Sequence, residues 1–502
     1  MQRNTTRTLI AWTILVPQFS IAGTIRVPAD FPDVPGAIAA AQAGDEILVA
    51  PGEYDLFPNA SFPADNITLR GESGDPHDVI LLGGGANGPL VVSEHTGIVI
   101  RAVTITDCAT ALIVTRGQAR LENCRIIDNT PASLGTVVAL SATLELDGCL
   151  VQRHQIASTG ATGAVAVFAS TLDISDSVFV ENSSPQGISA PSSFGAAVLL
   201  GVQIVQNQPE GSEGTIRGTI FQNNTADFGA AITAIGSTLD ADRCTFAGND
   251  ATFGGAILTR STTFSSTTLD SHATITNSVF TANHARQQSN LNGVGGAVAA
   301  VDASTLTLVN NTFYRNTAET VAGAVYATND IAAVTIANTI LADNAPAALD
   351  LPAFATQISN LDAPDEFVGL ADPLGPDGLP GTLDEDFSPS ANSPAIDAGD
   401  NTAVPPMTTA DYPGNPRFDD DPQTADTGVG PAPVVDIGAV EFIGPCNDAD
   451  LAPDFGILDL ADIAAFVTAF TSQSPPADLN DDTLYDLADI AAFVTAFTAG
   501  CP

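Results

Sequence analysis

Apolar and polar residues alternate in short runs along most of this chain. Thr171-Leu-Asp-Ile-Ser, Ala273-Thr-Ile-Thr-Asn and Thr305-Leu-Thr-Leu-Val each put every second residue on one face. A period of two over such short runs predicts strands. Between about Gly97 and Asn344 the strands carry a recurring phrase, an apolar residue with Asn three positions later. It reads Cys-Thr-Phe-Ala-Gly-Asn around Phe246, Ser-Val-Phe-Thr-Ala-Asn around Phe280 and Asn-Thr-Phe-Tyr-Arg-Asn around Phe313. Ile126, Phe179 and Phe221 stand in the same frame, Val151 with His154 is a degenerate copy, and Ile340 opens the last one. A second phrase falls between these, as Gly195-Ala-Ala-Val, Gly229-Ala-Ala-Ile, Gly254-Gly-Ala-Ile, Gly295-Gly-Ala-Val and Gly323-Ala-Val.

The first phrase recurs at spacings of 25 to 42 residues, the signature of a stacked repeat. A coil of two or three short strands per repeat predicts a parallel β-helix, with coils stacked about 4.8 Å apart. In that geometry Phe and Ile stack inside as the core. Asn129, Asn182, Asn224, Asn249, Asn283 and Asn316 stack as a ladder at a bend. Their amides bond neighbouring coils there, and their backbone tolerates the left-handed region. Gly permits the tight turn, and Ala fits where the interior narrows. Roughly ten coils make a rod on the order of 50 Å long. The longer spacings predict loops that bulge over 183–209, 262–270 and 286–294.

The ends of the repeat differ from its middle. Met1 to Ala22 reads as a signal peptide, with Arg3 and Arg7, a short apolar run over Leu9 to Val16, and small residues before Gly23. The run is too short to span a bilayer, so the expectation is an exported chain, secreted or at the cell surface, with no membrane span after cleavage. Val34 to Ala43 is Ala-rich and predicts a short helix over the open end of the stack. The phrase Ala-Ala-Ala-Gln-Ala-Gly-Asp-Glu-Ile-Leu-Val-Ala-Pro-Gly-Glu-Tyr, ending at Tyr54, and Asn-Ile-Thr-Leu-Arg-Gly over 66–71 resemble the start of pectin-lyase-like, right-handed β-helix proteins. The resemblance covers most of 23–344. After Asn344 the chain turns rich in Pro, Asp and Gly. Ser393-Pro-Ala-Ile-Asp-Ala-Gly-Asp, Asp411-Tyr-Pro-Gly-Asn-Pro-Arg and Asp436-Ile-Gly-Ala-Val-Glu-Phe resemble the closing segment of choice-of-anchor Q proteins, which end in interchangeable attachment modules. Ala395-Ile396 and Ile437 to Val440 are expected to supply the last strands of the stack. Asp372, Asp377, Asp384 and Asp386 line a loop read either as a calcium loop or as a solvated acidic loop.

Residues 446–502 form a separate module. Asp459-Leu-Ala-Asp-Ile-Ala-Ala-Phe-Val-Thr-Ala-Phe recurs unchanged from Asp486 to Phe497. Ile463, Phe466, Val467 and Phe470, and their copies Ile490, Phe493, Val494 and Phe497, form one apolar helical stripe each, and the two stripes are expected to pack together. An acidic loop precedes each helix. In the second, Asp478, Asn480, Asp482, Asp486 and Asp489 occupy loop positions 1, 3, 5, 9 and 12, with the Leu484 carbonyl at 7. That is calcium-loop spacing, with Thr483 where Gly is usual. The first loop offers Asp450, Asp454, the Ile457 carbonyl, Asp459 and Asp462, in frame if one residue is inserted near Phe455. The alternative is that Asp459 and Asp486 only cap helices, with Asp462 and Asp489 at N3. The duplicated loop and helix resembles a dockerin, and the ending Thr-Ala-Gly-Cys-Pro its Gly-Cys variant. The resemblance implies Ca²⁺ as cofactor and a cohesin-like or cell-envelope receptor as partner. In that family loop positions 10 and 11 are polar recognition residues, whereas here they are Leu460-Ala461 and Leu487-Ala488. The expected fold is thus mostly β: a right-handed parallel β-helix over 23–344, a closing segment over 345–442, and a small all-α dockerin-like module over 446–502.

Cys446 and Cys501 bracket the module, whose ends meet if its helices pack antiparallel. A disulfide there suits an exported chain and would contribute roughly 4 kcal/mol on a chain-entropy basis. Cys124, Cys149 and Cys244 share one frame with Ser177, Thr219 and Ser278 and read as small buried side chains, and Cys108 stands apart.

Charge narrows the partners. The net charge is −43 over 502 residues, and all 15 basic residues are arginines. Such a surface repels nucleic acid and anionic membranes, so neither is expected as a partner. Polysaccharide along the rod is compatible. Asp107, Asp128, Arg153, His154, His284, Arg286 and Arg315 are the candidates for lyase or hydrolase chemistry, and their spacing fits no catalytic set. Whether the chain is an enzyme stays open. Three readings remain: a carbohydrate-associated rod with a calcium-dependent attachment module, a polysaccharide lyase or glycoside hydrolase on the same scaffold, and an adhesin-like rod.

Overall fold

Short strands separated by bends pair with the equivalent strand one coil away. The computed structural model describes residues 22–501, apart from 58, 86–89, 132–133, 157–162, 185–193, 265, 289–290, 422–423, 453–457 and 481. Three parallel sheets of 13, 12 and 11 strands result. The first runs from Thr24–Val27 to Thr356–Ile358, the second from Gly52–Asp55 to Leu361–Asp362, and the third from Ala60–Ser61 to Leu349–Asp350. At about 4.8 Å per coil the first sheet is about 58 Å long. Phe179, Phe221, Phe246, Phe280 and Phe313 pair in register. Their buried rings stack with centroids 5.0, 5.2, 4.5 and 4.5 Å apart. The coils continue past Asn344 to Asp362, because Asn360 takes the place of a bend residue in one more turn.

Each bend is solved in the same way. A residue in the left-handed region turns the chain, and the next residue points a small polar side chain inward. At the bend after the second sheet the turning residues are Asp128, Arg153, Glu181, Asn223, Gly248, Ala282, Arg315 and Asp343. The left-handed conformation therefore falls one residue before the ladder asparagines and not on them. An extended asparagine can aim its amide into the stack, and a left-handed one would aim it away. Each amide oxygen accepts the backbone N–H of the ladder residue one coil earlier, from Asn182 to Asn224, Asn249, Asn283, Asn316 and Asn344. Each amide nitrogen donates to a core carbonyl one coil earlier, as Asn224 does to Phe179 and Asn249 to Phe221. The amides also bond one another at 2.9–3.0 Å.

At the bend after the first sheet, Cys124, Cys149, Ser177, Cys244, Ser278 and Asn311 occupy the corresponding column. The Cys149 N–H donates to Ser177 Oγ and the Cys244 N–H to Ser278 Oγ. The thiols are free, and burial pushes Cys244 up to about 12. At the third bend, Ser170, Ser212, Ser237 and Ser271 form another column linked by N–H to Oγ bonds.

The second phrase exists for close approach. Gly195, Gly229, Gly254 and Gly295 have φ between 49° and 63°. A Cβ there would lie 2.0–2.5 Å from the carbonyl oxygen three residues on, so only Gly fits.

A helix, α1 (Val34–Ala40), covers the entrance of the stack. Asp33 caps it by accepting from the Gly36 N–H at 2.7 Å, and Val34, Ala37 and Ile38 join the core. Two of the predicted bulges are antiparallel hairpins, Gln203–Val205 with Gln208–Glu210 and Thr262–Phe264 with Thr267–Leu269. In the third, Gln288 and Leu291 form a bridge.

The closing segment does not extend the stack. Ala395-Ile396 and Ile437 to Val440 lie in turns and bends, and the described residues of 365–442 run back along the outside of the second sheet. The reason is apolar. Val279, Tyr314, Ile340 and Ala342 face outward from that sheet and are covered by Val368, Leu370, Phe387, Ala395, Ile437, Ala439 and Val440. The three phrases of this segment interlock around Arg417, which is fully buried. Its Nε lies 2.9 Å from Glu441 Oε1, and it donates to the Asp436 carbonyl at 2.7 Å. Asp436 accepts from the N–H groups of Asp397 and Phe442, and Asp411 from those of Asn415 and Glu441.

Replacing Phe246 by Ala removes a ring from the middle of the stack and is expected to cost about 3–5 kcal/mol. Gln287→Ala, on an exposed loop, is expected to cost less than about 0.5 kcal/mol. Denaturant melts of the two variants check this, and equal small effects would contradict the register.

Candidate functional site

The terminal module has a core of its own. Helices α2 (Leu460–Ser472) and α3 (Leu487–Ala499) each begin with a capping box, built by Asp459 with Asp462 and by Asp486 with Asp489. Phe466 and Phe493 stack at 4.2 Å, backed by Ala449 and Ala477 and flanked by Leu451, Leu458, Leu479, Tyr485, Phe470 and Phe497. The apolar stripes therefore meet only in part. Ile463, Val467, Ile490 and Val494 stay exposed, because the loops supply leucines and a tyrosine to the core in their place. Together with Leu460 and Leu487, the two helices present matching exposed triplets at i, i+3 and i+7. Cys446 and Cys501 are bonded, with Cα atoms 5.3 Å apart.

The two acidic loops are not equivalent. In the second, Asp478 accepts from the N–H groups of Asp482 and Thr483, Asn480 from that of Asp482, and Asp482 from that of Leu484. Thr483, at the sharp turn, has φ 65°. Asp489 is fully buried, and its Oδ1 has no hydrogen-bond partner, while Oδ2 accepts from the Asp486 N–H at 2.9 Å. In the first loop the matching Asp462 is satisfied on both oxygens, by the N–H groups of Leu451, Ala452 and Asp459. Asp450 accepts from the Cys446 N–H. Asp454 and Ile457 lie outside the described residues, as does the signal-peptide reading of 1–21. A hard cation with oxygen ligands fits the second loop on the strength of that orphaned buried oxygen. In the 372–386 loop, Asp377, Asp384 and Asp386 each accept from their own loop.

The seven catalytic candidates are scattered. Arg153 forks onto Asp128 with two 2.7 Å bonds and holds its carboxyl below the usual range. Arg286 pairs with Asp250 at 2.7 Å. His284 meets Thr317 Oγ1 at 2.9 Å. Arg315 lies over the Tyr314 ring, 5.1 Å from its centroid, and Asp107 turns a bend. His154 is a rung of the asparagine ladder. Its backbone N–H donates to Asn182 Oδ1, its Nδ1 accepts from the Asn129 N–H, and its Nε2 faces the Ile126 carbonyl at 3.0 Å. These partners require the Nε2–H tautomer, which copies both functions of an amide.

More polar surface lies on the outer face of the first sheet. Arg120 reaches Glu122, Glu145 and Asp147. Nearby, Thr96, Arg116, Gln118, Thr143 and Thr171 line a shallow groove of about 380 Å³ at the third bend. Half-buried Phe194, Phe228 and Phe253 stack at 5.0 and 5.6 Å beside the glycine column. Their signal in the sequence was a Phe immediately before the first Gly in three of the five copies of the second phrase.

Burial holds His154 neutral, with its pKa lowered from 6.5 to about 4. A lowered folded value means that its contribution is complete above pH 6.5 and is lost as pH falls from 6.5 to about 4. Relative to His154→Asn, which cannot titrate, the wild-type chain should lose about 2–3 kcal/mol between pH 7 and pH 4.5. Chemical denaturation at both pH values measures this, and parallel pH profiles would show that His154 does not titrate between the two states.

The family described as right handed beta helix region matches residues 89–269. No curated protein matches the sequence. Among solved structures, pectate lyase Pel9A is similar at 14% identity and TM-score 0.40, over 84% of this chain and 97% of that one. A PL6 family polysaccharide lyase from Pseudopedobacter saltans is similar at 14% identity and TM-score 0.35, over 73% and 97%. An alginate lyase from Paenibacillus sp. str. FPU-7 is similar at 13% identity and TM-score 0.34, over 68% and 97%. The family match and the three stacked parallel sheets make the body of this chain a right-handed parallel β-helix.

Proposed function

We propose that this protein is an exported, carbohydrate-associated rod held at its site of action by a calcium-dependent, dockerin-like C-terminal module. The observation that carries the reading is the pair of exposed apolar triplets, Leu460, Ile463 and Val467 with Leu487, Ile490 and Val494, on a module that already has a closed core. Exposed apolar stripes on adjacent helices suit a partner surface. They also accommodate apolar residues at loop positions 10 and 11, where polar ones are usual in that family. The receptor would then be a cohesin-like or cell-envelope protein with an apolar contact face.

Calcium enters through the second loop. Asp478, Asn480, Asp482, Asp486, Asp489 and the Leu484 carbonyl would hold it, and its charge would satisfy the orphaned oxygen of Asp489. The loop carboxylates repel one another without a cation, and helices of 13 residues are marginal alone. A fragment over 444–502 should therefore gain helix on adding Ca²⁺ and lose it with chelator, as read by far-UV circular dichroism. Asp478→Ala with Asp489→Ala should weaken that response far more than Asp450→Ala, because Asp462 in the first loop is already satisfied by backbone. Equal helix with and without Ca²⁺ would leave Asp459 and Asp486 as helix caps only.

The rod would meet a glycan through hydrogen bonding. The groove beside Arg116 offers hydroxyl, amide and guanidinium groups, and the outer sheet face is polar and flat. The full chain, incubated with a panel of neutral and acidic polysaccharides, should bind at least one without releasing shortened or unsaturated products. Cleavage would move the assignment to a lyase or hydrolase, and failure to bind any glycan would favour an adhesin-like rod.

A further inference from the structure

The closing segment contains a second acidic cluster, far in sequence from the terminal module. Asp397, Asp420 and Asp426 each bring a carboxylate oxygen within 4.8 Å of the other two. Asp420 and Asp426 are exposed. Asp397 is not: it is 1% exposed, and neither of its carboxylate oxygens has a hydrogen-bond partner. A buried carboxylate with both oxygens unsatisfied is costly to maintain. The backbone around it is fully engaged. The Asp397 N–H donates to Asp436 Oδ1, and its carbonyl accepts from the N–H groups of Thr427 and Gly428, which brings that stretch of chain against it.

Among the described residues, no cationic side chain is paired with the cluster. The buried cation of this segment, Arg417, is committed to Glu441 and to the Asp436 carbonyl. The whole chain has no lysine. Burial, followed by the charges of Asp436, Asp420, Asp426 and Asp421, pushes the Asp397 carboxyl up to about 7.

We propose that Asp397, Asp420 and Asp426 bind a calcium ion that ties Asp420 and Asp426 to the buried Asp397 of the closing segment. The ligand set decides the metal. Three carboxylates with no nitrogen or sulfur donor select a hard cation. Calcium takes oxygens at about 2.3–2.6 Å, so three carboxylate oxygens that all lie within 4.8 Å of one another can share one ion. Its tolerance of irregular geometry suits ligands drawn from two separate stretches of chain, where magnesium demands a near-ideal octahedron. The site is independent of the loops in the terminal module, and neither needs the other.

The test uses the full chain carrying Asp478→Ala and Asp489→Ala, so that the module's second loop is silent, with and without Asp420→Asn and Asp426→Asn. Both added substitutions are at exposed positions and leave the buried Asp397 in place. Native mass spectrometry after dialysis against Ca²⁺ should count one calcium fewer in the chain with the asparagines. Thermal melts should show a calcium-dependent rise in Tm for the parent that is lost with the asparagines. Equal calcium counts in the two chains would overturn the site. Because the module is identical in both, that result would leave the reading of the module untouched.

Discussion

A stacked coil must satisfy its backbone where its strands stop. Within the sheets each N–H and carbonyl finds a partner one coil away, but at the bends the chain turns out of register and the pairing lapses. This molecule meets the constraint with side chains that imitate the backbone. The asparagine amide is both donor and acceptor, so one residue type at one position per coil continues the ladder through the bend. The serine and cysteine columns do the same with a single group each. The aromatic rings are one column of a mainly aliphatic core, and the inward polar groups help hold successive bends, and so the rings, in one phase.

His154 shows how strict that constraint is. A residue that looks catalytic in the sequence, beside Arg153 and Asp128, is buried as a surrogate asparagine. Its ring offers an acceptor and a donor on opposite sides, at the cost of having to stay neutral. Arg153 and Asp128, one residue or one coil away, remain outside the stack because left-handed residues point outward at that bend.

Much of this was legible in the sequence. The phrase ending in Asn located the second sheet, its core and its ladder, since a period of two and a fixed Phe-to-Asn distance leave little freedom. The duplicated twelve residues located both terminal helices to within two residues. What escaped were features set by long-range packing. Nothing local to Ile437 or Ala395 says whether they add a coil or cover the side of one, and the answer lay in outward apolar residues such as Tyr314 and Ile340, a hundred residues earlier. Likewise the helical stripe of the module was read as one face, but Leu479 and Tyr485 from the loops displaced Ile463 and Val467 from the core. The unsatisfied Asp397 could not be seen at all without knowing that Thr427 and Gly428 bond to its carbonyl and that Asp420 and Asp426 come close to it.

The backward run of the closing segment has a mechanical consequence. Its bonds reach Gln222, Thr245, Thr312 and Asn338, which belong to different coils. In a simple solenoid each turn touches only its neighbours, and tension on the C-terminus would peel the final turn and then the next. Here a pull on the chain after Phe442 enters the rod from the side and is shared by several turns at once, in shear. The flank segment thereby acts as a splice, converting a stack that could unwind stepwise into one that resists as a block.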